Sequence, residues 1–119
     1  MNTSFENQTA HLFSIIGNPF RIKLLLLIGR GEACVCHLVA ASGQRQAYIS
    51  QHLMALRKAD LLKTRREGKY IYYQLSNPAL LELVTQAGKL AGIPSPPPEA
   101  NDEEQSNCCC PYCSGAGRE

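Results

Sequence analysis

The chain has 119 residues and a mass of 13.1 kDa, room for one domain and a short appendage, which excludes most multi-domain enzymes. Hydrophobic residues make up 45% of it, enough for a small core. A domain this short buries only about two thirds of its unfolded surface, so help from a partner subunit is expected. The net charge of +2 hides a division at Gly92: residues 1–92 hold 11 basic and 5 acidic groups, and residues 93–119 hold 1 basic and 5 acidic. A body of net +6 beside a tail of net −4 points to a polyanion as the body's partner.

The longest aliphatic run, Leu24–Ile28, falls far short of the ~20 apolar residues a membrane span needs. The start, MNTSFENQTAHLF, lacks the basic and apolar regions of a secretory signal, so a cytoplasmic protein with no membrane partner is expected. In that compartment thiols stay reduced, and the six cysteines point to metal binding or redox sensing rather than structural disulfides.

In chain order, Phe5, Leu12, Phe13 and Ile16 predict a first helix from about Thr3 to Ile16, stopped by Gly17. Asn18-Pro19, a cap followed by proline at the first helical position, opens a second, nearly all-apolar helix through Leu24–Ile28 to Gly29-Arg30-Gly31; such a helix belongs in the core. A short third helix is expected from about Cys34 to Ser42, ended by Gly43, and a fourth from about Gln46 to Ala59. In the fourth, Ile49, Leu53 and Leu56 line one face, leaving Gln46, Ala47, Ser50, Gln51 and Met54 on the other. From Leu62 the period becomes two, and Leu62, Thr64 and Arg66, then Ile71, Tyr73 and Leu75, flank a Glu67-Gly68-Lys69 turn, which predicts a β-hairpin. Asn77-Pro78 opens a last helix to Gly92. Residues 93–107 are proline-rich, then acidic, and read as an extended linker to a cysteine-rich tail at 108–119.

Two short helices around a glycine turn, the second with a polar outer face, followed by a basic hairpin, is the order of a winged helix-turn-helix. The fold class expected is therefore mainly α with a β-hairpin wing, and the partner double-stranded DNA. Gln46 and Gln51 suit adenine edges, Ser50 is adaptable, and Ala47 shares their face. Tyr48 and His52, further round the helix, are assigned to phosphate, with a half-buried structural role as the alternative for His52. Lys63, Arg65, Arg66 and Lys69 near the hairpin tip suit phosphate or minor-groove contact.

Over about residues 10–77 the chain resembles the arsenical-resistance and metal-sensing repressors of the ArsR/SmtB family. The likeness is carried by IIGNPFRIKLLLLI, by GEACVCHL in place of a cysteine–valine–cysteine box, and by YISQHLMALRKADLLKTRREGKYIYYQL across the recognition helix and wing. It implies a homodimer joined through the first and last helices that represses an operon at a near-palindromic operator and leaves when an inducer binds. The box departs from the family by having His37 where Asp is common, and residues 78–92 lack the Asp and His ligands of members that sense zinc or nickel there.

Thiophilic ions favour clustered thiolates: three suit As(III) or Sb(III), and four suit Cd(II), Pb(II) or Zn(II). Cys34 and Cys36 supply two, and Cys108, Cys109, Cys110 and Cys113 of the tail complete that site or form their own. On a regular helix, positions i and i+2 point about 200° apart, so ion binding by Cys34 and Cys36 is expected to distort the start of the third helix. That distortion would reach the recognition helix behind it. The positive helix end favours thiolates there. His11 and His37 read as surface residues rather than auxiliary ligands. A thiol redox or persulfide sensor is the alternative of the same fold, and a small metal chaperone or thiol oxidoreductase a remoter one. Cys110-Pro-Tyr-Cys113 looks like a glutaredoxin motif but lacks the strand and helix that motif needs. No catalytic constellation or small-molecule substrate site appears among the motifs.

Overall fold

A computed structural model of the chain describes residues 4–94. The elements are α1 (Phe5–Ile16), α2 (Pro19–Ile28), β1 (Glu32–Cys34), α3 (Val35–Ser42), α4 (Gln46–Lys58), β2 (Leu62–Glu67), β3 (Tyr70–Leu75) and α5 (Ala79–Leu90). The strands form one antiparallel sheet in the order β1-β3-β2. This is a winged helix-turn-helix, with α3 and α4 as the helix pair and β2–β3 as the wing.

Local chemistry sets the helix boundaries. The Ser4 hydroxyl accepts the Asn7 N–H at 3.1 Å, so α1 starts at Phe5; Thr3, the start expected from sequence, lies outside the described residues. Asn18 Oδ1 accepts the N–H groups of Phe20 and Arg21 at 2.9 and 3.2 Å, with Pro19 at the first helical position. Asn77 Oδ1 repeats the device on the Ala79 N–H at 2.9 Å. At Gly17 a side chain is excluded, because a Cβ would lie 2.7 Å from the Phe13 carbonyl oxygen; α1 and α2 bend there by 84°. Gly43 closes α3 in the left-handed conformation, φ 73°, and sets the turn into α4. Among the described residues no single helix is long and apolar enough to cross a membrane.

The core is the inward face of this arrangement. Leu24 and Leu25 of α2, Leu38 of α3, and Ile49, Leu53 and Leu56 of α4 are each at most 1% exposed, which matches the buried helix and the inward face expected from their spacing. Replacing Asn18 by alanine removes the oxygen that accepts both cap N–H groups and is expected to destabilise by ~1 kcal/mol, a melting temperature several degrees lower by circular dichroism; an unchanged melt would show that the cap does not hold α2.

Two features differ from the expectation. The third helix does not begin at Cys34. That residue ends a short strand and stands as the cap of α3, with extended backbone at φ −82°, ψ 162°. The wing is accordingly the outer part of a three-stranded sheet rather than a lone hairpin, with Glu32, Ala33 and Cys34 paired to Gln74, Tyr73 and Tyr72. Three residues are too few to display a period of two, which is why the strand is silent in the sequence.

Candidate nucleic-acid interface and thiol site

α4 presents Gln46, Ala47 and Gln51 exposed, with Ser50 half-buried between them. Its first residue follows Arg45, which makes no side-chain cap, so the positive end of α4 stays open to an anion. Tyr48 and His52 are tied inward as well as outward. Tyr48, His52 and Phe20 of α2 form an aromatic cluster with ring centroids 4.7 to 5.3 Å apart. His52 Nδ1 accepts from Arg21 Nε at 3.1 Å, and Arg21 also donates to the Ile15 carbonyl at 2.8 Å. His52 thus holds α2 against α4, and its remaining ring nitrogen, Nε2, carries the proton.

Burial, and then the neighbouring Arg21 charge, push the His52 pKa below its ordinary value. A depressed imidazole pKa means that the unfolded chain takes up a proton before the folded one does. This contribution to stability is therefore complete above the ordinary pKa of ~6.5 and is lost as the pH falls below it. Urea unfolding between pH 8 and 5 is expected to show a steeper loss in wild type than in His52→Asn, which keeps an acceptor and removes the titration. Equal slopes would contradict this.

The four wing cations part company. Lys63, Arg66 and Lys69 are exposed, with Arg66 Nε donating to the Gly68 carbonyl at 3.3 Å and Lys69 Nζ 5.5 Å from the Tyr70 ring centroid. Arg65 is held on the sheet. Its Nε and Nη2 grip the Glu32 carboxylate at 3.0 to 3.2 Å, its Nη1 meets Glu67 at 2.6 Å, and it lies 4.7 Å over the Tyr72 ring. The two carboxylates raise its pKa above the ordinary arginine value. Sequence grouped Arg65 with the phosphate contacts; its guanidinium, exposed like the others, is engaged by carboxylates of β1 and β2, because a planar fork facing a carboxylate forms paired hydrogen bonds.

The Cys34 and Cys36 sulfurs lie 2.7 Å apart without a disulfide between them, and Cys34 Sγ also accepts the His37 N–H at 3.3 Å. The helical divergence expected from sequence is overturned: with Cys34 outside the helix and in extended backbone, its side chain swings onto that of Cys36 while α3 stays intact. A sulfur accepting an N–H at a helix start is where negative charge on sulfur is favoured. His37, read as a surface residue, is buried, only 8% exposed; His11 is exposed on α1. Among the described residues no third His, Cys, Asp or Glu converges to complete a metal site. Cys108, Cys109, Cys110 and Cys113 lie outside the described residues, as do the linker from residue 95 and the rest of the tail.

The fold is a winged helix-turn-helix whose second helix keeps its polar face exposed. Residues 18–64 match the bacterial regulatory proteins of the arsR family. The arsenical resistance operon repressor of Escherichia coli (strain K12) is 44% identical over 66 residues, 55% of this chain and 56% of that protein. The probable mercury resistance operon repressor of Streptomyces lividans is 32% identical over 111 residues, 93% of this chain and 82% of that protein. Among solved structures, NolR from Sinorhizobium fredii superposes with a TM-score of 0.66 at 28% identity, over 79% of this chain and 99% of that one. The chain belongs to the arsR family, whose members are transcriptional regulators rather than enzymes.

Proposed function

We propose that the chain is a cytoplasmic, homodimeric repressor that holds its operator through α4 and the wing and releases it when a thiophilic metal or metalloid ion binds Cys34 and Cys36. The observation that carries this reading is the pair of thiol sulfurs brought together at the start of α3, the helix that precedes the recognition helix. Metal and metalloid resistance in the names of the E. coli and S. lividans relatives supports it. Gln46, Ala47, Ser50 and Gln51 meet base edges, Tyr48 and His52 Nε2 meet phosphate, and Lys63, Arg66 and Lys69 follow the backbone. Arg65 serves the sheet.

An ion needs at least one more sulfur than the pair supplies, and the tail cysteines Cys108, Cys109, Cys110 and Cys113 are the source. At ~3.1 Å per residue the 93–107 segment has the length to bring them back to either subunit. One tail thiolate gives an As(III) or Sb(III) site, and two give a Cd(II), Pb(II) or Zn(II) site. The second copy covers the apolar groove of about 500 Å³ between α1, α2 and α5, lined by Phe13, Ile16, Ile22, Leu26, Leu83 and Val84. With Phe13 50% and Leu26 39% exposed in a single chain, this face gains from burial.

The reading is tested by fluorescence anisotropy of the reduced protein on its upstream DNA, titrating As(III), Sb(III), Cd(II), Pb(II) and Zn(II). Release by at least one ion, lost when the four tail cysteines are serine, is the expected result. The same short sulfur separation favours a second reading, a thiol switch in which Cys34 and Cys36 lose two electrons and two protons to an oxidant and form a disulfide. Release by peroxide, reversed by dithiothreitol and given by no ion, would establish it in place of the first.

A further inference from the structure

We infer that the state of the Cys34–Cys36 pair reaches the wing through the outer face of the sheet, along Cys34, Tyr72, Arg65 and Glu32. This rests on the proposed release by an ion at the pair and says how that release is transmitted. The strand register sets Cys34 opposite Tyr72 on one side of β3 and Arg65 opposite Tyr72 on the other. Side chains directly opposite one another share a face, so the three form a row across the sheet; Glu32, two residues before Cys34, is on that face too. Ala33, Tyr73, Leu62 and Leu75 take the other face and join the helical core. Cys34 and Tyr72, 2% and 3% exposed, make a separate buried cluster with Cys36 and Tyr70 against them.

Ion binding has to alter this row. Cys34 is 2% exposed and packs against Tyr72, so an ion, larger than the proton it replaces, reaches this sulfur only by pushing on that ring. A close-packed ring answers by shifting rather than by compressing. Arg65 stacks 4.7 Å over the same ring while its fork holds Glu32 and Glu67. It is therefore the one described cation that joins β1, β2 and the buried tyrosine, and a displaced Tyr72 carries β2, with Lys63 and Arg66, away from its DNA-competent position. Glu32 and Arg65 are positioning residues here. Neither touches the ion, and as a solvent-facing pair they contribute little to stability, so variants at Glu32 remain folded.

The test measures operator affinity of full-length wild type and Glu32→Gln by anisotropy, without ion and with Cd(II) or arsenite, alongside ion binding from thiolate ultraviolet absorbance. Coupling between effector and ligand sites is typically about 5–150-fold. Glu32→Gln is expected to bind both ions as wild type does, to keep ion-free operator affinity within about threefold, and to lose at least about fivefold of the ratio between ion-free and ion-bound affinities. An unchanged ratio overturns the inference while leaving release intact. An ion-free affinity that collapses with the ratio unchanged also overturns it, in favour of static support of the wing. If wild type binds either ion and is released by neither, the release reading fails and this inference falls with it.

Discussion

Serine in place of Cys34 or Cys36 is expected to give a protein that binds operator as wild type does and no longer responds to inducer. The expected change is the whole of the ion-dependent ratio, from somewhere in the about 5–150-fold range to about one. A hydroxyl is a poor ligand for a thiophilic ion, so either variant leaves one body sulfur where the proposed site uses two. The fold survives for a specific reason. Cys34 occupies the cap of α3 and accepts the His37 N–H, and serine is among the preferred residues at that position. Melting curves and ion-free anisotropy are the controls. Full release of Cys34→Ser by the ion would remove the pair from the sensor.

Gln46→Ala and Gln51→Ala test the other half of the proposed function. Each is expected to weaken operator binding by about 5- to 150-fold, the range for removal of a bidentate hydrogen bond to a base, while binding to unrelated duplex is retained. Charge removal from the wing behaves differently: Lys63, Arg66 or Lys69 to alanine weakens both DNAs alike and lowers the salt slope by about 0.9 for each phosphate no longer neutralised. Competition anisotropy across a salt series separates the two. Glutamine variants that weaken both duplexes equally would place base recognition elsewhere on the molecule.

How much of the fold and site is legible in the sequence depends on element length. α2 and α4 announce themselves by apolar residues repeated over ten and thirteen positions, and Asn18-Pro19 and Asn77-Pro78 mark two helix starts by their own chemistry. β1 has three residues, too short for any period, and without it the surroundings of two groups stay hidden. Cys34 reads as helical, so its sulfur points away from Cys36, and the carboxylate that holds Arg65 does not show. Placing Glu32–Cys34 in a strand sets Cys34 outside α3 and Glu32 beside Arg65, since cross-strand neighbours are set by tertiary pairing and not by local spacing. The Arg21–His52 hydrogen bond joins residues 31 apart in sequence, and no local pattern carries it.

The sensing role proposed for Cys34 and Cys36 is tested most directly by X-ray absorption of the ion bound to the reduced full-length protein. An all-sulfur shell of three or four neighbours is predicted, losing sulfur when Cys34 and Cys36 are both serine. A shell dominated by nitrogen or oxygen, or a sulfur shell unchanged in that double variant, would contradict it.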